Sequence, residues 1–209
     1  KPEVNTQLET SVIQQLKGVQ LGGSVFYSIL TDYIVAAVNP AIPRKYMPTT
    51  PPTVSRQFGN IDKASQWGIE FDLTVALSER LSITSTMSYT EAKNKDTDEP
   101  LPQIPPLKSN IALKYDTNGY GMELSSRLVA KPDRISDSFM EKETPGYGTM
   151  DFRVGIEPVK DLSVGVAVLN IFDKAYYDHL NFSFKNSNLM SGRLYETGRN
   201  FTTYIKYTM

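Results

Sequence analysis

The stretch GIEFDLTVAL, residues 68–77, decides the fold, because large apolar side chains alternate along it with small or acidic ones. Successive side chains leave a β-strand on opposite faces, so this alternation gives one apolar face and one polar face. A helix would instead need apolar residues every three or four positions. The stretch therefore predicts a strand, with an apolar row made of Ile69, Phe71, Leu73, Val75 and Leu77.

The same period of two recurs from one end of the chain to the other, while helical periodicity is nearly absent. Counting the alternating segments predicts about nine strands, with ends uncertain by roughly two to four residues. The segments are Leu8–Leu16, Leu21–Ala37, Gly68–Leu77, Leu81–Tyr89, Asn110–Tyr115, Gly121–Val129, Met150–Ile156, Leu162–Val168 and Phe201–Met209.

The connections between these segments alternate between short and long. Short turns are predicted at Lys17-Gly18, Ser78-Glu79-Arg80, Asp116-Thr117-Asn118-Gly119 and Glu157-Pro158-Val159-Lys160, with Asn118-Gly119 suited to a type I′ turn. Long connections are predicted at Asn39–Arg56, Glu91–Pro106, Lys131–Tyr147 and Phe172–Gly198. A meander with tight turns at one end and long loops at the other is typical of outer-membrane β-barrels.

The polarity of the two faces favours the same architecture. A soluble barrel of moderate size fills its interior with large apolar side chains, whereas the second face here carries Ser, Thr, Gly, Asp, Glu and Lys. Glu70 and Asp72 on that face are better explained as charges in a watery lumen than as a catalytic pair. The apolar face is then left to meet lipid, where only a closed sheet pairs every backbone group. Aromatic residues near strand ends fit interfacial girdles: Tyr89, Tyr115, Tyr120, Tyr147, Phe201 and Tyr207.

The strand count predicts that the barrel is larger than this chain. About nine antiparallel strands leave the first and last running in the same direction, and bacterial single-chain barrels have even strand numbers. The chain also begins at Lys1 without an initiating methionine or a signal peptide, as a fragment or processed product would. We therefore predict an all-β fold: an antiparallel transmembrane β-barrel meander, holding the C-terminal strands of a barrel of about 22, whose lumen carries a plug that this chain lacks.

Composition excludes several classes of function. The net charge of −1 gives no basic surface for nucleic acid, so no nucleic-acid partner is predicted. The absence of cysteine excludes disulfides and thiolate chemistry, and a single histidine argues against a histidine-rich metal centre. No spacing places a nucleophile beside a base. We therefore predict no catalytic residues, no cofactor and no metal site, and a protein that is not an enzyme.

Four stretches resemble the TonB-dependent receptors of outer membranes. Lys1-Pro2-Glu3 followed by Glu9 resembles the opening of a late barrel strand, and Asn60–Ala64 leading into Gly68-Ile69-Glu70 resembles a hairpin strand of that family. More specific are Leu101–Pro106 (LPQIPP), similar to a loop-to-strand entry, and Asn170–Tyr176 (NIFDKAY), similar to the family's strand end "NLFDKxY". In order and spacing these stretches cover essentially the whole chain.

The resemblance implies a function and a location. Members of this family import scarce nutrients across the outer membrane of Gram-negative bacteria, so the expected partners are outer-membrane lipid, a small chelate or nutrient, and the TonB energy-coupling complex acting through the missing plug. An iron-siderophore complex is the first expectation, with copper or cobalamin as alternatives. The last strand resembles the family's assembly signal, although Met209 stands where phenylalanine or tryptophan is usual.

In this family the outer loops and the plug form the ligand pocket, so the last long loop supplies the candidate ligand contacts His179, Met190, Arg193 and Tyr195. Arginine pairs with carboxylates and tyrosine stacks on flat chelates, whereas methionine and histidine suit copper. The alternative is that the four are ordinary loop residues that touch water or neighbouring loops. Trp67 is better explained by interfacial or lumenal packing, and the charged run from Glu91 to Glu99 by a solvated loop tip.

Two other functions remain open at this level. A passive or adhesive barrel would bind a host molecule or a phage through its loops without transport. A soluble β-sandwich binding module, with carbohydrate as a partner, would bury the apolar face against a second sheet. If residues 1–209 were expressed alone, the barrel hypothesis predicts aggregation or oligomerisation, because two strand edges and an apolar face would be exposed.

Overall fold

The computed structural model of the protein describes residues 1–43, 54–181, 183–186 and 189–208. Within these ranges no helix has the length and hydropathy to cross a membrane. The regular elements are strands: β1 (Val4–Leu16), β2 (Val19–Pro43), β3 (Val54–Ala76), β4 (Leu81–Asn94), β5 (Lys108–Asp116), β6 (Tyr120–Val129), β7 (Tyr147–Val159), β8 (Leu162–Leu169), β9 (Ser183–Asn186), β10 (Leu189–Arg193) and β11 (Asn200–Tyr207).

Nine of these strands form one antiparallel sheet in the order β1-β2-β3-β4-β5-β6-β7-β8-β11, and each is bonded to the next strand in this order. This confirms the predicted nine-strand meander. Strands β9 and β10 form a separate hairpin inside the last long connection, which the sequence analysis did not predict. The predicted final position, Met209, lies outside the described residues.

The register aligns one large apolar residue from every strand of the sheet into a single row. Each member is the backbone partner of the next, so all nine side chains lie on the same face. The neighbouring row belongs to the opposite face and runs through Gln15, Gln20, Thr74, Thr84, Ala112, Ser125 and Asp151. We call the first the apolar row: Leu16, Val19, Val75, Ile83, Leu113, Leu124, Phe152, Val168 and Phe201.

The apolar row is not covered by a second layer of protein in the described part of the chain. Leu124 is 40% exposed and Phe201 is 72% exposed. The total accessible surface is 14153 Å² for 23.4 kDa, whereas a compact soluble monomer of that mass exposes about 9,700 Å². A β-sandwich needs a second sheet against this face. The soluble sandwich hypothesis is therefore wrong for this fold.

Strands β2 and β3 extend well beyond the rest of the sheet. Pairing with β1 ends at Thr31 and pairing with β4 ends at Ala64, while β2 and β3 remain paired to Asn39 and Ser55. About 8 or 9 further residues on each strand, at ~3.3 Å each, make a projection of roughly 28 Å. The predicted long connection Asn39–Arg56 is therefore shorter than expected, because its ends belong to the strands; residues 44–53 lie outside the described part.

Four short turns join strands at the end opposite to this projection, as predicted, but the last is formed by Lys160 and Asp161, because β7 continues to Val159. Gly18 has a φ of 74°, a conformation that glycine adopts without steric cost. The type I′ prediction for Asn118-Gly119 was wrong, because neither residue has a positive φ. The turn is closed instead by Thr117, whose hydroxyl donates to the Tyr120 carbonyl at 3.0 Å and accepts the Tyr120 amide at 3.2 Å.

A small buried cluster lies on the polar face at the loop end of the sheet. Leu30, Ala64 and Ala92 belong to three adjacent strands, and Leu101 from the β4–β5 loop packs on them. The Leu101 amide donates to the Ala92 carbonyl at 2.9 Å, so the loop folds back over the inner side of the sheet. Partly buried apolar side chains extend the cluster: Tyr33, Ile61 and Ile104.

Candidate functional site

The polar face carries a row of charges across three neighbouring strands. Lys114, Glu123 and Arg153 are successive backbone partners on β5, β6 and β7. Arg153 donates to Glu123 at 3.0 Å, to Asp151 at 2.9 Å and to the Ser125 hydroxyl at 2.9 Å, while Lys114 lies 3.5 Å from Glu123. All the charges are compensated by neighbours, so the row leaves no lone cation for an anionic ligand.

A cavity of about 510 Å³ opens over this row. The cavity is lined by three cationic residues, Lys114, Arg127 and Arg153, and by three acidic ones, Glu123, Asp151 and Glu196. The described residues contain no cluster of histidine and carboxylate groups with metal-binding geometry. The surface is therefore wet and electrically balanced, as a water-filled lumen requires, and does not itself select an anion, a cation or a metal.

The stretch Asn170–Tyr176 closes the start of the last long loop. Asn170 has a φ of 50°, which asparagine tolerates better than most residues. Its side chain accepts the Lys174 amide and donates to the Lys174 carbonyl, both at 2.9 Å. Asp173 then accepts the amide of Arg199 at 2.7 Å, which joins the two ends of the loop. The stretch thus has a conformational role, because it fixes where the loop leaves the nine-stranded sheet, which we call the wall.

Asp178 fastens the same loop to the wall. It accepts hydrogen bonds from Arg127 at 2.8 Å and from the Tyr147 hydroxyl at 2.6 Å, and the Tyr147 ring packs on Tyr176 with centroids 4.4 Å apart. Burial tends to raise the pKa of Asp178, but the Tyr147 hydrogen bond and the Arg127 charge outweigh it and hold that pKa below its usual value. The carboxylate is therefore ionised where the loop meets the strands.

His179, one of the four candidate ligand contacts, is buried with only 4% of its surface exposed. Its Nε2 lies 3.0 Å from Glu141 Oε1 and its Nδ1 lies 3.1 Å from the Thr144 hydroxyl. Both partners belong to the β6–β7 loop, residues 130–146. The ring thus joins two loops, and both of its nitrogen atoms are engaged.

The other three candidates occupy different positions on the same loop. Arg193 donates to the carbonyl oxygens of His179, of Asn181 at 2.9 Å and of Lys142 at 3.4 Å, so it fastens the β9–β10 hairpin to its neighbours. Tyr195 is 64% exposed, and its ring meets the Tyr177 ring edge-on at 5.2 Å. Met190 lies in β10, and its side chain falls outside the part that the structure describes.

These positions separate the candidates by accessibility. Tyr195 is open to solvent, whereas His179 and Arg193 hold loop segments together; the role of all four in ligand binding stays a prediction.

Trp67 lies on the apolar face and meets Tyr89 edge-on at 5.5 Å, consistent with packing near an interface. Glu141 and Asp178 could not be identified from the sequence, because each is a single carboxylate in a polar segment and no local pattern marks its partners.

The β4–β5 loop, residues 95–107, and the β6–β7 loop hold each other through reciprocal carboxylates. Glu99 accepts the Ser138 amide at 2.6 Å and the Ser136 hydroxyl at 3.1 Å. In return, Glu141 accepts the Gln103 amide at 2.8 Å, and it also accepts the Ser136 amide of its own loop at 3.0 Å. Ser136 at the centre is 2% exposed. The outer end of the sheet therefore carries an ordered assembly of loops.

Comparisons with known proteins agree with this architecture. Residues 1–171 match the family described as "TonB dependent receptor-like, beta-barrel". The ferric enterobactin receptor PirA of Pseudomonas aeruginosa is 31% identical over 130 residues, and the hemin receptor of Yersinia enterocolitica is 29% identical over 123 residues. These alignments cover 58% and 56% of this chain but 18% of each relative, so the chain corresponds to a minor part of either protein.

Solved structures give the same fold. The copper transporter OprC superposes with a TM-score of 0.88 at 24% identity, covering 100% of this chain and 32% of that one. The siderophore receptor PirA from Acinetobacter baumannii superposes with a TM-score of 0.71 at 21% identity, covering 99% of this chain and 32% of that one. At these identities the likeness establishes the shared fold, in which the nine-stranded sheet is part of a larger barrel.

Proposed function

Because the chain belongs to the family of TonB-dependent receptor β-barrels, we propose that it forms part of an outer-membrane receptor that actively imports a scarce nutrient into a Gram-negative bacterium. The observation that carries this proposal is the single-layered wall, whose apolar row is exposed on one face while charged and hydroxyl side chains line the other. Such a wall separates hydrocarbon from a watery lumen. The family and its named relatives are receptors and transporters, in agreement with the prediction that the chain is not an enzyme.

The organisation of the whole protein follows from the same premise. Residues 1–209 are proposed to be the C-terminal portion of a barrel of about 22 strands, with a plug domain elsewhere in the polypeptide. The partners would then be outer-membrane lipid on the apolar face and, through the plug, the TonB complex. The balanced charges of the polar face support this arrangement, because they suit contact with water or another polar surface.

For the ligand we propose an iron-siderophore complex, with haemin, copper or cobalamin as alternatives. One relative is named for ferric enterobactin, another for hemin, and a structural neighbour for copper. Among the predicted contacts, Tyr195 is the side chain best placed to meet a flat chelate, because it is exposed and next to Tyr177. Arg193, His179 and Met190 would contribute through the shape of the same loop or by direct contact.

The test is uptake by cells that carry the full-length gene. Cells would be supplied in turn with radiolabelled ferric enterobactin, haemin and Cu²⁺, in strains with and without a working TonB complex. We expect one of these probes to accumulate only when the complex is present. Equal accumulation in both strains would contradict active transport.

A passive or adhesive barrel is the second candidate. The hydrogen bonds between the outer loops favour it, because they fix the shape of the outer surface, which suits recognition without transport. The same experiment separates the two functions. An adhesive barrel would bind its target equally in both strains and would accumulate no probe in either.

A further inference from the structure

In the described part of the chain, the β6–β7 loop contacts the projecting β2–β3 hairpin, the β4–β5 loop and the β8–β11 loop. Phe139 accepts a hydrogen bond from Arg56 of the projecting hairpin at 3.0 Å, and the Arg56 guanidinium lies 4.3 Å from its ring centroid. Gln103 of the β4–β5 loop and His179 of the β8–β11 loop both bond to Glu141. The β6–β7 loop is therefore the common neighbour of the other three.

Within the β6–β7 loop, Glu141 is the residue that bonds to two of the neighbouring loops. Its side chain is 7% exposed and accepts three donors: the Gln103 amide, the His179 ring and the Ser136 amide. Three different segments thus depend on two carboxylate oxygens. A buried donor that loses its acceptor keeps the full cost of its lost solvation, so the arrangement is costly to break.

The protonation states at this junction follow from which groups can donate. An ionised carboxylate only accepts, so His179 Nε2 must carry a hydrogen, and in the neutral ring Nδ1 then accepts from the Thr144 hydroxyl. Protonation of Glu141 would turn one of its two acceptor oxygens into a hydroxyl, although three donors depend on those oxygens.

We propose that Glu141 is a positioning residue that sets the relative placement of three outer loops, and that ligand capture depends on this placement. The inference rests on the proposed receptor function, because it assigns to Glu141 the geometry of the surface that would meet the ligand. It acts through its neighbours: Arg193 fastens the backbone of His179 to Lys142, so moving His179 also moves the hairpin that leads to Tyr195.

Hydrogen exchange of the full-length receptor in lipid nanodiscs tests the positioning role without any ligand. In Glu141→Ala we expect the Gln103 and Ser136 amides to exchange at least tenfold faster than in the wild type. In Glu141→Gln the side chain keeps one oxygen and gains an NH₂ group. The N–H group of either Gln103 or Ser136 must then face that NH₂ group. We expect only that amide to exchange faster than in the wild type. Unchanged exchange of both amides in Glu141→Ala would overturn the proposal.

Glu143→Gln is the matched control, because this glutamate lies in the same loop, is exposed, and pairs with Lys131 of its own loop at 2.5 Å. We expect it to leave the exchange of Gln103 and Ser136 unchanged. If Glu143→Gln accelerated them as much as Glu141→Ala, general loosening of the loop would explain the result and the specific role of Glu141 would be rejected.

The pH dependence of amide exchange distinguishes a role of the Glu141 charge from a role of its packing alone. Burial tends to raise the pKa of Glu141, but the His179 hydrogen bond and the Ser136 and Gln103 amides outweigh it and hold that pKa below its usual value. Its stabilising contribution is therefore complete above the ordinary glutamate pKa of 4.5 and is lost as pH falls through the lower folded value. The titratable group in contact with it is His179; Arg193 bonds to the backbone of His179, and Glu99 lies beyond Ser136.

Corrected for intrinsic rates, wild-type exchange at Gln103 should rise below about pH 4.5. Glu99 also has a lowered pKa, held down against burial by hydrogen bonds from Ser138 and Ser136, so it titrates in the same range. The variant Glu141→Gln keeps Glu99 and should lose the acid-dependent rise at Gln103. A rise of equal size in Glu141→Gln would assign the effect to Glu99 and contradict the proposal.

Ligand capture is measured with the probe that wild-type cells accumulate from the panel of ferric enterobactin, haemin and Cu²⁺. We expect Glu141→Ala to bind it at least fivefold more weakly and Glu143→Gln to bind it as the wild type does. Equal binding by Glu141→Ala would overturn the link to capture. If the wild type accumulated no probe, the proposed function would fail, while the exchange data would still decide whether Glu141 positions the loops.

Discussion

The wall and the outer loops of this protein are held together by different interactions. In the nine-stranded wall, backbone hydrogen bonds link every neighbouring pair of strands, while the apolar row remains exposed. In the loops, single carboxylates such as Glu99, Glu141 and Asp178 accept hydrogen bonds from distant segments. The wall therefore depends on a repeated pattern and on its surroundings, whereas the loops depend on particular residues and on each other.

This difference predicts how substitutions act in the two regions. In the wall, the face on which a residue lies should matter more than its individual contacts. In the loops, the hydrogen-bond partners of a residue should matter more than its general polarity.

The largest effect is expected from a charge on the lipid side of the wall. Leu113 lies in the apolar row and is 41% exposed, so Leu113→Arg would place a guanidinium in hydrocarbon. The expected loss is about 2–4 kcal/mol of folding free energy near the middle of the bilayer. Denaturant unfolding of the full-length receptor in lipid vesicles measures it.

Ala112→Arg is the control, because its side chain lies on the polar face of the same strand and borders the cavity. It should cost little, since the new charge stays in water. Equal losses for the two variants would show that the apolar row does not face lipid, and the wall would lose its proposed role.

The second effect concerns packing across the polar face. A Cβ atom at Gly165 would lie 2.1 Å from the Tyr204 ring, which rests on this glycine and on Gly155. Gly165→Leu should therefore cost about 1–3 kcal/mol through overpacking. Adding Tyr204→Ala should recover part of that loss, and Gly59→Leu, where nothing lies within 4 Å, should cost less. A double-mutant cycle by denaturant unfolding tests this coupling, and strictly additive losses would contradict it.

A smaller and more local effect is expected where the last loop joins the wall. Asp178→Asn leaves one acceptor for two donors, so either Arg127 or the Tyr147 hydroxyl loses its partner. The expected cost is about 1 kcal/mol, because Arg127 and Asp178 remain partly exposed. Hydrogen exchange should accelerate in residues 170–181 while the unfolding of the wall stays unchanged. A matching loss in the wall would mean that the two regions are not independent.

The wall could be predicted from the sequence because its information is local. In the stretch GIEFDLTVAL, the alternating polarity of adjacent residues indicates the face on which each side chain lies. Repetition of this pattern along the chain predicted the nine strands and their order. The loops carry no such pattern. Nothing near Glu141 in the sequence indicates its bond to His179, which is 38 positions away. The β9–β10 hairpin was missed for a related reason, since four or five residues are too few for alternation to be distinguished from chance.

The four candidate ligand contacts show the same limit. Residue type singled out His179 and Arg193 as chemically able to bind a chelate or a metal, but type says nothing about partners inside the protein. The structure shows that both already hold neighbouring segments, while Tyr195 is exposed. Accessibility is a long-range property, so it had to come from the folded chain.

The smallest effect is expected when the same chemical change is made in the wall instead of the loops. Glu123 pairs with Arg153 at 3.0 Å and with Lys114 at 3.5 Å, and its side chain is 27% exposed on the wet face. Water can replace either partner, so Glu123→Gln should cost about 0.2–1 kcal/mol in denaturant unfolding, and less at high salt. Glu141→Gln removes the same charge from a side chain that is only 7% exposed. A larger cost for Glu123→Gln than for Glu141→Gln would mean that the ionic row, and not the alternating pattern, holds the wall together.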